Sequence, residues 1–100
     1  MSKYKYWKYA ERQVAKKLDG RRILEKGIRT HDVETDWLKV EVKTRQALPQ
    51  WLTNAALKIR TTELDHKLGI LVLKGKANRT ELVVLHLKDF KDWFGEVKHA

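Results

Sequence analysis

Trp7, Ala10, Val14, Ala15 and Leu18 recur at three- and four-residue spacing, so the segment from Tyr6 to Leu18 has one apolar face and is predicted to be a helix ending near Gly20. Glu11 falls on that apolar face. Arg22-Ile23-Leu24-Glu25-Lys26 reads as a short first strand, with Gly27 breaking it before a basic segment that includes Arg29. The period then changes to two: Leu38, Val40 and Val42 alternate with Lys39, Glu41 and Lys43 around a polar turn near Asp36, which predicts a β-hairpin from Asp32 to Lys43. Leu48-Pro49 interrupts the chain and opens a second helix on Leu52, Ala55, Ala56 and Ile59, running to about Leu64. Gly69-Ile70-Leu71-Val72-Leu73 and Leu82-Val83-Val84-Leu85 are continuous apolar runs of the kind expected of central strands covered on both faces. A short helix through Asp89-Phe90-Lys91-Asp92-Trp93-Phe94 stops at Gly95. The expected order is αβββαββα, an α/β fold with one mixed sheet flanked by helices.

At 100 residues there is room for one domain, taken to span 1–100, and one modest core. Lys and Arg number 22 against 13 Asp and Glu, and the formal charge of +9 would draw the chain to polyanions, nucleic acid first. The same charge could serve solubility alone. With no cysteine there is no disulfide framework, thiolate zinc site or cysteine nucleophile. No apolar run reaches membrane-spanning length and the N-terminus lacks an apolar signal core, so a soluble, cytoplasmic protein is expected, with no membrane partner. His31, His66, His86 and His99 show no paired spacing that would build a histidine metal site.

A two-residue turn at Asp36-Trp37 would set Asp32 across from Glu41, with Cβ atoms within about 5 Å. Lys43, two residues after Glu41, projects from the same face. Two carboxylates that close repel unless a cation lies between them. Magnesium, with manganese as a substitute, binds through one or two carboxylates plus substrate phosphate, and Asp32 and Glu41 meet that demand. In phosphodiester hydrolysis Lys43 would orient the attacking water or offset developing negative charge. Alternating Glu and Lys are also ordinary on a solvated strand face. Glu11 is a further acid on the helix that packs near this sheet, or else a partner for Arg12, Lys8 or a strand lysine. Glu34 shares the face of Asp32 and is an accessory acid, whereas Asp36 lies in the turn.

Ala10-Glu11-Arg12-Gln13-Val14-Ala15-Lys16-Lys17-Leu18, Asp32-Val33-Glu34 and Val40-Glu41-Val42-Lys43 together resemble the PD-(D/E)xK nuclease superfamily, and within it archaeal-type Holliday junction resolvases and small phage resolvase-like proteins. The resemblance extends to Ala47-Leu48-Pro49-Gln50-Trp51-Leu52 and to the closing Leu87–Gly95. It implies a restriction-endonuclease-like fold and a magnesium-dependent endonuclease acting as a homodimer on branched DNA, in the host cytoplasm if phage-encoded. It also implies Asp32, Glu41 and Lys43 as the signature set, Glu11 as the helix-borne acid and the Val42 carbonyl as a further metal ligand. His31 stands where the motif's name has proline, which fixes backbone and ligates nothing.

For DNA, Lys3 and Lys5 alternate with Tyr4, Tyr6, Trp7 and Tyr9, combining phosphate neutralisation with rings that stack on exposed bases, unless Trp7 belongs to the helix core and the lysines to a solvated arm. Arg21, Arg22, Lys26, Arg29 and Arg45 flank the acidic residues and are candidate phosphate contacts. Trp51, Trp93 and Phe94 are candidates for either a dimer surface or the core. A nicking or flap-type endonuclease is the alternative substrate reading, and a non-catalytic DNA-binding protein the alternative class.

Overall fold

A computed structural model describes residues 3–24, 31–60 and 64–95, with side chains described from Tyr6 onward. It contains, in chain order, α1 (Lys3–Lys17), β1 (Arg21–Arg22), β2 (Val33–Glu34), β3 (Lys39–Val40), α2 (Gln50–Lys58), β4 (Leu71–Lys74), β5 (Glu81–Val84) and α3 (Leu87–Phe94). The fold is a small α/β arrangement in two compact units, dividing after Gln46. Its strands form two antiparallel sheets, ordered β1-β2-β3 and β4-β5, in place of the single mixed sheet expected. Each strand pairs with its neighbour in sequence, and no parallel pairing occurs among the described residues.

In the first unit, α1 packs on β1 and β2, burying Ala15, Leu18 and Val33, the last completely. The helix ends in a Schellman arrangement: the Gly20 N–H donates to the Ala15 carbonyl at 2.8 Å and the Asp19 N–H to that of Lys16 at 3.4 Å. Asp19 takes the left-handed conformation at φ 54°, where glycine is usual. Gly20 is needed instead for close approach, since a Cβ there would lie 2.7 Å from the Glu34 carbonyl oxygen of β2. Only Arg21 and Arg22 of the first-strand region form strand, and positions 25–26 of the expected strand lie outside the described residues.

The β2–β3 hairpin has the register expected: Val33 faces Val40 and Glu34 faces Lys39. The Thr35 N–H donates to the Leu38 carbonyl at 3.0 Å, closing the turn over Asp36-Trp37. Thr35 Oγ1 also accepts the Trp37 and Leu38 N–H groups at 3.3 and 3.1 Å, a local side-chain turn that does the work an Asn-Gly pair would do. Leu38, Val40 and Val42 are half-buried while Lys39, Glu41 and Lys43 are exposed, so the period of two is realised.

In the second unit, α2 starts after Pro49, whose carbonyl accepts the Leu52 and Thr53 N–H groups. The helix stops at Lys58, with Ile59 at its C-cap, rather than running to about Leu64, and positions 61–63 of the expected helix lie outside the described residues. The Arg60 N–H tightens the end by donating to Leu57 O at 3.2 Å. β4 and β5 pair from Leu71–Val84 to Lys74–Glu81, and the Gly75 N–H donates to Thr80 O across the loop. These strands are not covered on both faces: Ile70, Val72, Leu82 and Val83 are exposed, because a hairpin of two strands has no third layer of its own. In α3, Phe90 and Phe94 pack with ring centroids 5.2 Å apart. Trp51 and Trp93, candidates for the core, are 61% and 44% exposed. None of the described helices is long and apolar enough to cross a membrane.

Candidate functional site

The chemistry proposed from sequence gathers in the first unit, around the open end of the β2–β3 hairpin. Beyond the Val33–Val40 pair the ladder gives way to side-chain bonding. The Asp32 N–H donates to Val40 O at 2.8 Å, and Asp32 Oδ2 accepts the Val42 N–H at 2.8 Å. The Asp32 carbonyl meanwhile accepts the Ile23 N–H at 2.9 Å, so Asp32 ties the β1 region to the Glu41-Val42-Lys43 segment. Its carboxylate therefore works on the backbone flanked by Glu41 and Lys43. On the exposed face of that segment, Lys43 Nζ lies 3.4 Å from Glu41 Oε1, with side chains 68% and 60% exposed. Two-residue spacing thus brings the Glu-x-Lys pair together just past β3, and the bond from the Val42 N–H ties Asp32 to the segment that carries it.

Glu11 arrives differently. It is buried, at 4% exposure, and Oε1 accepts a hydrogen bond from Arg22 Nε at 3.1 Å. Arg22 was expected at a phosphate, but its side chain is mostly buried and holds Glu11. Sequence spacing named Arg12, Lys8 or a strand lysine as partners for Glu11. A buried acid on a helix packed over a strand that opens Arg21-Arg22 was the signal for the true one. Glu34 is held by Arg21 at 2.6 Å and by His31 Nε2 at 3.1 Å. The hydrogen bond from His31, then the charge and hydrogen bond of Arg21, hold its carboxyl below the ordinary carboxylate range. Arg45 is exposed and donates to the Thr44 carbonyl at 2.7 Å. Lys26 and Arg29 lie outside the described residues, and Lys3 and Lys5 are placed only as backbone of α1.

Asp32, just before β2, and Glu41, just after β3, offer hard carboxylate oxygens of the kind that magnesium or manganese takes, with water and phosphate completing the shell. Among the described residues no three His, Asp or Glu side chains form a ready-made cage. Lys43 is paired with Glu41, so a cation at Glu41 would compete with the ammonium. Glu11 fits less well, since the Arg22 guanidinium already balances its charge.

In the second unit sequence reasoning missed an ion pair with a buried partner. Arg60 Nε and Nη2 donate to the two carboxylate oxygens of Asp89, each at 3.0 Å. Asp89 is buried in the first turn of α3, and the bidentate bond holds its carboxyl below the ordinary range. A separation of 29 residues leaves no local spacing from which to read it. Comparison with protein-family models, curated proteins and solved structures finds no match to this chain.

Proposed function

We propose that the chain is a metal-dependent DNA endonuclease of restriction-endonuclease-like fold, with Asp32 and Glu41 as the metal-binding carboxylates, Lys43 as the catalytic cation and branched DNA as substrate. The observation that supports the reading is the end of the hairpin, where Asp32 Oδ2 accepts the Val42 N–H and Lys43 Nζ stands 3.4 Å from Glu41 Oε1. A net charge of +9 supports a polyanionic substrate. A magnesium ion, when bound, would polarise the scissile phosphate and lower the pKa of the attacking water. Asp32 holds the strand backbone at Val42 and presents its carboxylate beside it. Glu41 would hold the cation, with the Val42 carbonyl as a further oxygen. Lys43 would orient the water and offset charge building on the phosphoryl oxygens. Glu11 holds Arg22 and so steadies β1 against the helix.

Paired cuts across a four-way junction call for a two-fold dimer, with one active site on each of two strands. Trp51 and Trp93 are exposed, and each is an apolar side chain that such a dimer could cover. A second reading, a DNA-binding protein without catalysis, is favoured by the arginine partners that Glu11 and Glu34 already have.

The test incubates purified protein with a synthetic four-way junction, a flap and a linear duplex, in magnesium and in chelator. Symmetric junction cuts that need magnesium, and at least a roughly hundredfold loss in Glu41→Gln with junction binding retained, are expected. Cutting of flaps alone moves the substrate to the nicking or flap class. If the wild type and Glu41→Gln both leave the junction intact in magnesium, the binding-protein reading replaces the catalytic one.

A further inference from the structure

The outer face of α1 carries a pattern that the hairpin chemistry leaves unused. Tyr6, Tyr9, Arg12 and Lys16 are spaced by three, three and four residues, which puts them along one stripe of the helix, and all four are exposed. The opposite stripe, with Glu11, Ala15 and Leu18, is the buried one. On the outer stripe the Tyr6 and Tyr9 rings are 48% and 44% exposed, with centroids 6.4 Å apart and planes tilted by 35°. Both rings are thus partly open to solvent, where an aromatic pair buried in a core would not be. Arg12 and Lys16 continue the stripe toward the end of α1, and no ion pair engages them among the described residues. Glu11, the one acid within α1, is turned inward and neutralised by Arg22. The stripe is therefore aromatic at one end, cationic at the other and free of acids.

From this placement we infer that the outer face of α1 binds unpaired nucleic acid, with Tyr6 and Tyr9 as a stacking platform for bases and Arg12 and Lys16 as contacts to the phosphates that follow. Base stacking on exposed rings needs a single strand, because in a duplex the base faces are covered by their neighbours. The cationic end serves any nucleic acid, and the aromatic end selects the unpaired kind. The occupant is thus a single-stranded segment, such as the open bases at a branch point. The inference rests on the nucleic-acid part of the reading above and is independent of cleavage.

The experiment measures fluorescence anisotropy of a labelled oligothymidine of about 12 nucleotides, a length within the range of single-strand sites, in chelator so that no cutting occurs. A blunt duplex of equal length is the control. Tyr6→Ala/Tyr9→Ala is expected to weaken oligothymidine binding about tenfold or more, leaving its salt slope and the duplex affinity unchanged. Tyr6→Phe/Tyr9→Phe, which keeps the rings, should bind as the wild type does. Arg12→Gln/Lys16→Gln should flatten the salt slope by about 1.4, two phosphates at about 0.7 each for a single strand. Wild-type protein that does not bind oligothymidine, or tyrosine-to-alanine protein that binds it undiminished or loses duplex equally, overturns the inference. Because the assay contains no magnesium, an inactive Glu41 centre leaves its result unchanged.

Discussion

At the scale of single residues, charge is handled by pairing. Glu11 and Arg22 are both largely buried, and removing one partner strands the other in a poorly solvated place. Glu11→Gln is expected to lower unfolding free energy by about 3 kcal/mol in urea titration, while Glu11→Gln combined with Arg22→Met should cost less than the two single changes together. Asp89 carries a pH dependence. Its carboxyl titrates below the ordinary range when folded, so the Arg60 bond contributes stability above the unfolded carboxylate pKa of about 3.9 and loses it as pH falls through the lower, folded value. Melting temperature should therefore drop on acidification below about pH 4, and Asp89→Asn should shrink that drop while lowering the melting temperature at neutral pH.

At the scale of elements, the ends and turns are the places where one residue decides. Asp19 holds a left-handed conformation without glycine's freedom, and Asp19→Gly should raise stability by up to about 1 kcal/mol. Gly20→Ala should do the reverse, because its new methyl meets the Glu34 carbonyl. Both are read by thermal melting. Thr35→Val keeps the β-branched shape but removes the acceptor for two turn N–H groups, and a loss of about 1 kcal/mol is expected. Since that turn closes the hairpin whose open end carries Asp32 and Glu41, the same variant should lose the proposed nuclease activity beyond its loss of stability, measured below its melting transition.

For the whole molecule, the net charge of +9 makes binding to any nucleic acid a matter of counterion release. Duplex affinity should fall at least tenfold between about 50 and 200 mM salt, measured by filter binding. The exposed aromatic surface of the second unit bears on the proposed dimer. Sedimentation of the wild type should give a two-chain mass at micromolar concentration, and Trp51→Lys should reduce it to one chain. A single-chain mass for both proteins removes the symmetric-cut proposal while leaving metal-dependent cleavage to be judged on its own assay.

The three helices, the period-two hairpin and its turn are local properties, written in spacings of three, four and two, and they were legible in the chain. The sequence by itself also determined that Glu41 and Lys43 meet, because two-residue spacing along extended chain needs no tertiary information. Tertiary structure decided the partners. Glu11 chose Arg22 across a helix–strand contact, and Arg60 chose Asp89 across 29 residues, distances over which spacing carries no signal. It also decided the fate of the apolar runs in β4 and β5. Their composition matches that of buried strands, but burial depends on which layers cover them, and an antiparallel pair supplies only itself. Periodicity follows from the backbone's own geometry, whereas pairing and burial follow from what the folded chain brings alongside.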